Sequence, residues 1–239
     1  MNGPEHLCTW FLRLNGYLTT TNFYAHDSHE TLGEIDVIGV RFPHSRELEF
    51  KDSDALKIPE GKIDLVLAEA KRGHIDSLDN SWISPEKQAL EYIVQRVGMV
   101  HSEKVDEVCA ALRKNRQMTV HDRSFRVICC ARSMNDDLEK QGVTCVKWAE
   151  VLKFIQHRFH NNEKLKRQHE QWDCFGQYLW NQLTCGLAPD ESNFFCGWEK
   201  TSGALAKACE TPVGSLPRVA HHTSLTSSGS VRTESPPSG

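Results

Sequence analysis

The sequence predicts an α/β domain with a mixed sheet of four to five strands, flanked by helices and followed by C-terminal helices. Short runs rich in β-branched and aromatic residues predict strands, and apolar residues at helical spacing predict the helices. The predicted order is α-β-β-β-α-α-β-β-α-α, which begins with three consecutive strands after one helix. This order lacks the regular βαβ alternation of a doubly wound dinucleotide-binding fold, and the sequence contains no glycine-rich phosphate loop.

The first four predicted elements precede residue 72. Apolar residues at i, i+4 and i+7, starting at Leu7, predict a helix that begins at Pro4 and ends before Asn15-Gly16. The three strands that follow are predicted at 17–25, 34–42 and 63–71. The third strand is apolar enough to lie in the centre of a sheet. The polar residues 43–62 between the second and third strands predict a surface insertion, with contact to DNA or a partner protein as the alternative.

The second half of the chain predicts mostly helices. Ser84 as N-cap and Pro85 in the first turn predict a helix that runs to Val97. The next elements are a helix at 103–115, strands at 125–131 and 142–146, and helices at 148–160 and 163–184. We predict one domain over 1–160, a helical extension over 161–200 and a disordered tail over 201–239. In the last 29 residues, 18 are Ser, Thr, Pro or Gly, a composition that cannot offset the entropy of ordering.

Charge and cysteine content exclude several classes of protein. The chain carries 28 basic and 32 acidic residues, a net charge of -4, so it lacks the basic surface of a protein held on nucleic acid by bulk charge. This balance leaves nucleic acid open as a substrate.

The nine cysteines form no C-x-x-C pair, which argues against a disulfide framework and a zinc site. We find neither a signal peptide nor an apolar stretch of about 18 residues, which predicts a cytoplasmic protein without a membrane partner.

The most informative residues are Asp36 and the tripeptide Glu69-Ala70-Lys71. The two-residue period of a strand places Glu69 and Lys71 on one face, and Asp36 lies on the preceding strand. Two close carboxylates repel unless a cation joins them, and Mg²⁺ (or Mn²⁺) is the hard cation that oxygen ligands suit. The carbonyl of Ala70 is a further candidate ligand. Such an ion activates water and holds a phosphate oxygen, and Lys71 is the candidate to orient that water.

The E-x-K tripeptide alone is a weak signal. Glu49-Phe50-Lys51 also matches it, within a charged segment typical of a solvated loop. The alternative for Asp36, Glu69 and Lys71 is a surface ion pair on a half-exposed strand.

The blocks NGYLTTTNFYAHDSHETLGEIDVIGVRFP and IDLVLAEAKRG resemble the core of the PD-(D/E)XK nuclease superfamily, in particular its archaeal Holliday-junction resolvase and RecB-like branches. The resemblance covers roughly residues 3–130. It rests on the order of a helix with an early glutamate, a Gly-Tyr strand, a G-E-I-D-x-I strand and an apolar strand ending in E-x-K. The superfamily's proline is absent before Asp36, where Ile35 stands.

This resemblance implies a restriction-endonuclease-like fold and metal-dependent DNA cleavage. It implies Asp36 and Glu69 as metal ligands and Lys71 as the catalytic lysine. Glu5 matches the helix glutamate of some branches, which makes it a further candidate metal ligand; its alternative role is a favourable charge in the first turn of a helix. Glu34, two residues before Asp36, is a candidate to assist.

Further candidates lie in the predicted helices. Gln88 and Tyr92 fit the Q-x-x-x-Y signature of RecB-like members, and their spacing predicts one helix face directed at the catalytic site and DNA. A chance pair on an amphipathic helix is the alternative. The basic residues predicted to contact DNA are Lys153, Arg158, Lys164, Lys166 and Arg167, and a solvated helix face is the alternative for them.

These observations predict a metal-dependent DNA endonuclease. The alternative is a catalytically silent nuclease-fold subunit that binds DNA or a partner protein in a DNA-processing or defence system. A homodimer is a further expectation, because the resolvases that the sequence resembles act as two-fold dimers.

Overall fold

A computed structural model describes residues 2–26, 31–45, 50–78, 82–161, 173–184 and 190–210. The predicted α/β fold is confirmed, with six strands in the main sheet rather than four or five. The strands are β1 (Leu18–His26), β2 (Thr31–Arg41), β3 (Ile63–Ala70), β4 (His74–Ile75), β5 (Gln117–Val120), β6 (Arg123–Ala131), β7 (Ser133–Met134) and β8 (Thr144–Lys147). The helices are α1 (Gly3–Leu14), α2 (Ala89–Val97), α3 (Val105–Asn115), α4 (Asp136–Lys140), α5 (Trp148–Asn161), α6 (Cys174–Thr184) and α7 (Glu191–Glu210).

The sheet combines an antiparallel and a parallel part. Strands β1, β2 and β3 form an antiparallel meander, and β6 lies parallel to β3 on its other side. The far edge of β6 pairs with β5 antiparallel and with β8 parallel. Since β3, β6 and β8 run in the same direction, their carboxyl ends meet at one edge of the sheet. This edge is where Glu69 and Lys71 lie.

The sheet has a hydrophobic core on each face. Val66, Ala68 and Ala70 of β3 pack in a core with α1, α5, α6 and α7. Leu65 and Leu67 point to the opposite core, which contains α2 and α3. Both faces of β3 are therefore covered, and this explains why its sequence is a continuous apolar run rather than an alternating one.

The described C-terminal helices share the first of these cores. Phe175 and Leu179 of α6, together with Phe194 and Phe195 of α7, are fully or almost fully buried beside α1 and α5. The predicted extension over 161–200 thus packs on the same core as the preceding domain wherever it is described.

Helix α7 continues to Glu210, so the predicted start of the tail at residue 201 falls inside this helix. Its last turns contain Ala, Leu, Lys and Glu, which have high helix propensity. Residues 211–239, where disorder was predicted from composition, lie outside the described residues.

The insertion between β2 and β3 is anchored on the domain. Leu56 is fully buried, and its carbonyl accepts a hydrogen bond of 2.6 Å from Arg126 of β6. Arg126 also pairs with Asp64 at the start of β3 through two hydrogen bonds of 3.0 and 2.6 Å. The described part of 43–62 is therefore held by a buried polar network.

The predicted start of α2 at Ser84 and Pro85 is wrong. A single 3₁₀ turn spans Pro85–Lys87, Ser84 makes no side-chain cap, and the α-helix begins at Ala89. The interruption comes from Gln88, whose left-handed backbone (φ 50°) separates the 3₁₀ turn from the helix.

The seven cysteines with described side chains are free thiols, and Cys129 and Cys130 are buried in β6. Within the described ranges, no helix has the length and apolar character needed to cross a membrane.

Candidate active site

Asp36 lies where β2 separates from its neighbours. Asn22 lies opposite Asp36 on β1 and has a left-handed backbone (φ 52°). These two residues do not pair, although the pairs on both sides of them are formed. On the other side, the ladder with β3 ends at the pair Val37–Ala68. Beyond that pair, Oδ2 of Asp36 accepts a hydrogen bond of 2.8 Å from the backbone N–H of Ala70. A carboxylate therefore replaces a backbone acceptor at the end of the ladder.

Glu69 and Lys71 complete this group. Nζ of Lys71 lies 2.7 Å from Oε1 of Glu69 and 3.8 Å from Oδ2 of Asp36. Both acidic residues are 8% exposed, whereas the side chain of Lys71 is 52% exposed. The structure thus brings together the three residues that the sequence singled out, with the ammonium group between the carboxylates and solvent.

Two tryptophans that sequence reasoning missed hold this group. The indole N–H of Trp82 donates a hydrogen bond of 3.0 Å to Oε2 of Glu69. The indole N–H of Trp148, at the start of α5, donates one of 2.8 Å to the carbonyl of Lys71. The only available signal was chemical, because a buried indole N–H needs an acceptor. The sequence did not indicate which acceptor each would find.

The electrostatics show an excess of negative charge. Burial and the charge of Glu69 raise the pKa of Asp36 to about 6, although the N–H of Ala70 and the ammonium of Lys71 lower it in part. Burial lowers the pKa of Lys71, but its hydrogen bond to Glu69 and the surrounding carboxylates raise that pKa above its ordinary value. Glu5 contributes to both upward shifts. One lysine therefore does not balance the acidic groups around it.

Glu5 lies close enough to affect this group, but its carboxylate also has a structural role. It accepts hydrogen bonds from the backbone and side chain of Asn2, and Oδ1 of Asn2 accepts one of 3.1 Å from the N–H of Glu5. This capping box begins α1. The alternative predicted for Glu5, a first-turn charge, thus describes its observed contacts.

The donors available for a cation are limited in number. The described residues contain no group of three or more His, Cys, Asp or Glu arranged to hold a metal ion. The carboxylates of Asp36 and Glu69 nevertheless fit Mg²⁺, which commonly binds through one or two carboxylates and keeps several waters. A cation here would offset the repulsion between Asp36 and Glu69, which together with burial raises the pKa of Asp36. The carbonyl oxygen of Ala70 is the backbone candidate beside them.

The predicted pairing of Gln88 and Tyr92 on one helix face is wrong. Gln88 precedes the first residue of α2 in a left-handed conformation; its carbonyl accepts a hydrogen bond of 3.4 Å from the N–H of Tyr92, but its own backbone is not helical. Its side chain is exposed. Tyr92 lies in the first turns of α2, where its ring is 41% exposed and lines a groove against β1.

The predicted basic surface is only partly described. Arg158 is wrong as a DNA contact, because it is 4% exposed, donates a hydrogen bond to the carbonyl of Leu14 and stacks 4.6 Å from the ring centre of Phe50. Lys153 is exposed on α5. The other predicted contacts, Lys164, Lys166 and Arg167, lie outside the described residues, as does Glu49 of the second E-x-K tripeptide.

Two carboxylates, a lysine and a nearby backbone carbonyl at a strand end can bind a hard cation and position a water against a phosphorus centre. In comparisons with known proteins, no protein-family model matches the chain. No curated protein and no solved structure matches it either.

Proposed function

We propose that this protein is a metal-dependent deoxyribonuclease of the PD-(D/E)XK type that hydrolyses phosphodiester bonds. One observation carries the proposal. Two buried carboxylates from adjacent strands, Asp36 and Glu69, meet the half-exposed Lys71 at the point where the β2–β3 ladder ends. Burial and the charge of Glu69 raise the pKa of Asp36 to about 6, and perturbed carboxylates of this kind are common at catalytic sites.

Asp36 and Glu69 are the residues that would hold Mg²⁺ or Mn²⁺, with the carbonyl of Ala70 beside them. When bound, such an ion lowers the pKa of water and stabilises negative charge on phosphate oxygens. The side chain of Lys71 reaches solvent, where its ammonium group can orient water or offset charge on the phosphate. Trp82 fixes the rotation of Glu69 through its hydrogen bond to Oε2.

A second candidate is a nuclease-fold subunit that binds DNA or a partner protein of a DNA-processing or defence system without cleaving. Two contacts favour it. Oε1 of Glu69 is already paired with Lys71, and the carboxylate of Glu5 is engaged by Asn2. The site then has fewer free oxygen donors than a nuclease with three acidic ligands.

A cytoplasmic location and a homodimer are part of the same proposal. Reduced, buried thiols such as Cys129 and Cys130 support the location. The two-fold symmetry of many DNA substrates supports the dimer.

The test is cleavage of plasmid and of short duplex, single-stranded and branched DNA in Mg²⁺ or Mn²⁺. We expect Asp36→Asn and Lys71→Met to reduce the rate at least 100-fold, the scale of losing one charge-stabilising group. The matched control is Lys51→Met, since Lys51 forms an exposed ion pair with Asp54 in the other E-x-K segment. If both site variants cleave like wild type, the assignment is wrong. Metal-independent DNA binding by a wild-type protein that cuts none of these substrates favours the second candidate.

A further inference from the structure

A cavity of about 370 Å³ lies between the candidate active site and helix α7. Lys71 and Arg72, which directly follow β3, line it from one element, and Trp198 and Glu199 line it from α7. Residues 2–4, at the beginning of α1, also contribute to its wall. Because Lys71 belongs to both places, the cavity adjoins the acidic site. The cleavage step proposed above gives no role to Arg72 or to α7.

Helix α7 is a fixed wall of this cavity. Its residues Phe194, Phe195 and Trp198 are buried in the core that α7 shares with α1 and α5. The polar residues of α7 that lie beside them are therefore held in place next to the strand end. The cavity is formed without a ligand, as binding sites in proteins usually are.

The guanidinium group of Arg72 has one strong and one weak partner, both on α7. Its Nη1 donates a hydrogen bond of 2.5 Å to Oε1 of Glu199, and its Nη2 donates one of 3.0 Å to Sγ of Cys196. A thiol is a weak acceptor. The side chains of Arg72 and Glu199 are 39% and 60% exposed, so both can be reached from solvent.

Other arginines of this chain are paired differently. Arg113 binds both carboxylate oxygens of Glu91, and Arg126 binds both carboxylate oxygens of Asp64. A phosphate offers a guanidinium group the same pair of charged acceptors. At Arg72, a phosphate would therefore replace one carboxylate oxygen and one thiol by two strong acceptors.

We propose that Arg72 binds the phosphate next to the one at the acidic site, and that Glu199 occupies this place until DNA displaces it. The inference rests on the proposed function, because it takes the polymer at the site to be DNA. Lys71 contacts Glu69 whereas Arg72 contacts α7, so the two neighbouring charges serve two positions along one strand. Such phosphate contacts set the register of a protein on DNA and read no sequence.

Glu199 opposes the binding that Arg72 favours. An exposed ion pair contributes little to stability, so breaking the pair of Arg72 and Glu199 costs the fold little. After the exchange, the carboxylate stays beside the cavity and repels the phosphate. Removal of the arginine charge should therefore weaken DNA binding, and removal of the carboxylate charge should strengthen it.

The test is fluorescence anisotropy with the full chain in EDTA, where cleavage is absent, at several NaCl concentrations. The probes are a labelled 20-base-pair duplex and one of its strands. We expect Arg72→Gln to weaken binding of the better probe about 10-fold, the scale of one charged hydrogen-bonding contact. The slope of log affinity against log salt should fall by about 1, as for one lost phosphate contact. Arg72→Lys keeps the charge and the slope.

The opposite change is expected for the acid. Glu199→Gln should tighten binding of the same probe about threefold, the scale of one exposed charge interaction.

A second arginine–glutamate pair on α7 supplies the matched control. Arg132 lies 3.6 Å from Glu191, and its side chain is 48% exposed. Neither residue is among the described residues that line the cavity. We expect Arg132→Gln and Glu191→Gln to bind like wild type. Far-ultraviolet circular dichroism and thermal unfolding verify that each variant is folded.

Three results would overturn the inference. They are wild-type affinity in Arg72→Gln, an equal loss in Arg132→Gln, and an affinity of Glu199→Gln that is no higher than that of wild type.

Binding and cleavage separate this inference from the proposed function. If the wild type cuts no DNA in Mg²⁺ or Mn²⁺ but Arg72→Gln loses affinity and salt dependence, the phosphate subsite is supported and the nuclease assignment fails. If Asp36→Asn abolishes cleavage while the Arg72 and Glu199 variants bind and cleave like wild type, the nuclease assignment is supported and the subsite inference fails.

Discussion

The carboxylate of Asp36 accepts a hydrogen bond of 2.8 Å from the backbone N–H of Ala70. Asp36 is the first residue of β2 beyond the last backbone pair of β2 and β3, which is Val37–Ala68. This contact fixes the acidic side chain to the strand that also carries Glu69. Nζ of Lys71 lies 2.7 Å from Oε1 of Glu69 and 3.8 Å from Oδ2 of Asp36, so both carboxylates face the same small space.

The first prediction concerns the pH dependence of stability. The pKa of Asp36 is raised from 3.8 to about 6, so the folded protein binds a proton more tightly than the unfolded chain does. The free energy of unfolding therefore decreases as pH rises from about 4 through about 6, by as much as about 3 kcal/mol from this group. We expect Asp36→Asn to remove this part of the dependence. Urea unfolding at several pH values between 4.5 and 8 measures it, and identical profiles for the two proteins would contradict the prediction.

The second prediction concerns the cation. A metal ion that binds the folded state alone raises the free energy of unfolding by about 2.7 kcal/mol at 100 times its dissociation constant. We expect Mn²⁺ to raise the melting temperature of the wild type, and the double variant Asp36→Asn, Glu69→Gln to lose this rise. Differential scanning calorimetry with and without Mn²⁺ measures the shift. An equal shift in the double variant would place the cation elsewhere.

The third prediction separates two basic residues of α5 that the sequence grouped together. Arg158 is buried, contacts the carbonyl of Leu14 and stacks on Phe50, so Arg158→Ala is expected to destabilise the fold by roughly 2–3 kcal/mol. Lys153 is exposed, so Lys153→Ala is expected to change stability by less than about 0.5 kcal/mol. Chemical unfolding compares the two, and equal stability of both variants would show that the burial of Arg158 contributes little.

The sequence predicted most of the sheet because its strands have strong local signals. Strands β2, β3 and β6 are apolar on one or both faces, and the two-residue period correctly placed Glu69 beside Lys71. The position of Asp36 followed from strand order alone. These features depend on nearby residues, which a single sequence displays.

The misses depend on contacts between distant residues or on unusual backbone. Gln88 adopts a left-handed conformation that its side chain does not favour, so no local pattern indicated that α2 begins at Ala89 and not at Pro85. Arg158 is covered by Phe50, more than 100 positions earlier in the chain. Trp82 lies in the crossover between β3 and β6, and its hydrogen bond to Glu69 joins residues 13 positions apart. Periodicity cannot show such pairings.

The last prediction contrasts the two acidic residues of β3. Asp64, at its start, is fully buried and is neutralised by two hydrogen bonds from Arg126 and one of 2.6 Å from Tyr17. Among the described residues, Glu69, near its end, has the half-exposed Lys71 and one indole N–H as its side-chain partners. Asp64 therefore serves the fold, and we propose that Glu69 serves the chemistry.

Asp64→Asn leaves the guanidinium of Arg126 without its anionic partner inside the protein. Removing one member of such a buried pair costs about 3–5 kcal/mol, and we expect cleavage by the remaining folded protein to stay near the wild-type rate. Glu69→Gln is the matched change on the same strand, and we expect it to abolish cleavage with a far smaller effect on stability. Urea unfolding and a cleavage assay at a temperature where both variants are folded give the two readouts. If the stability loss is the same for both variants, or if Glu69→Gln cleaves normally, the division of roles along β3 is wrong.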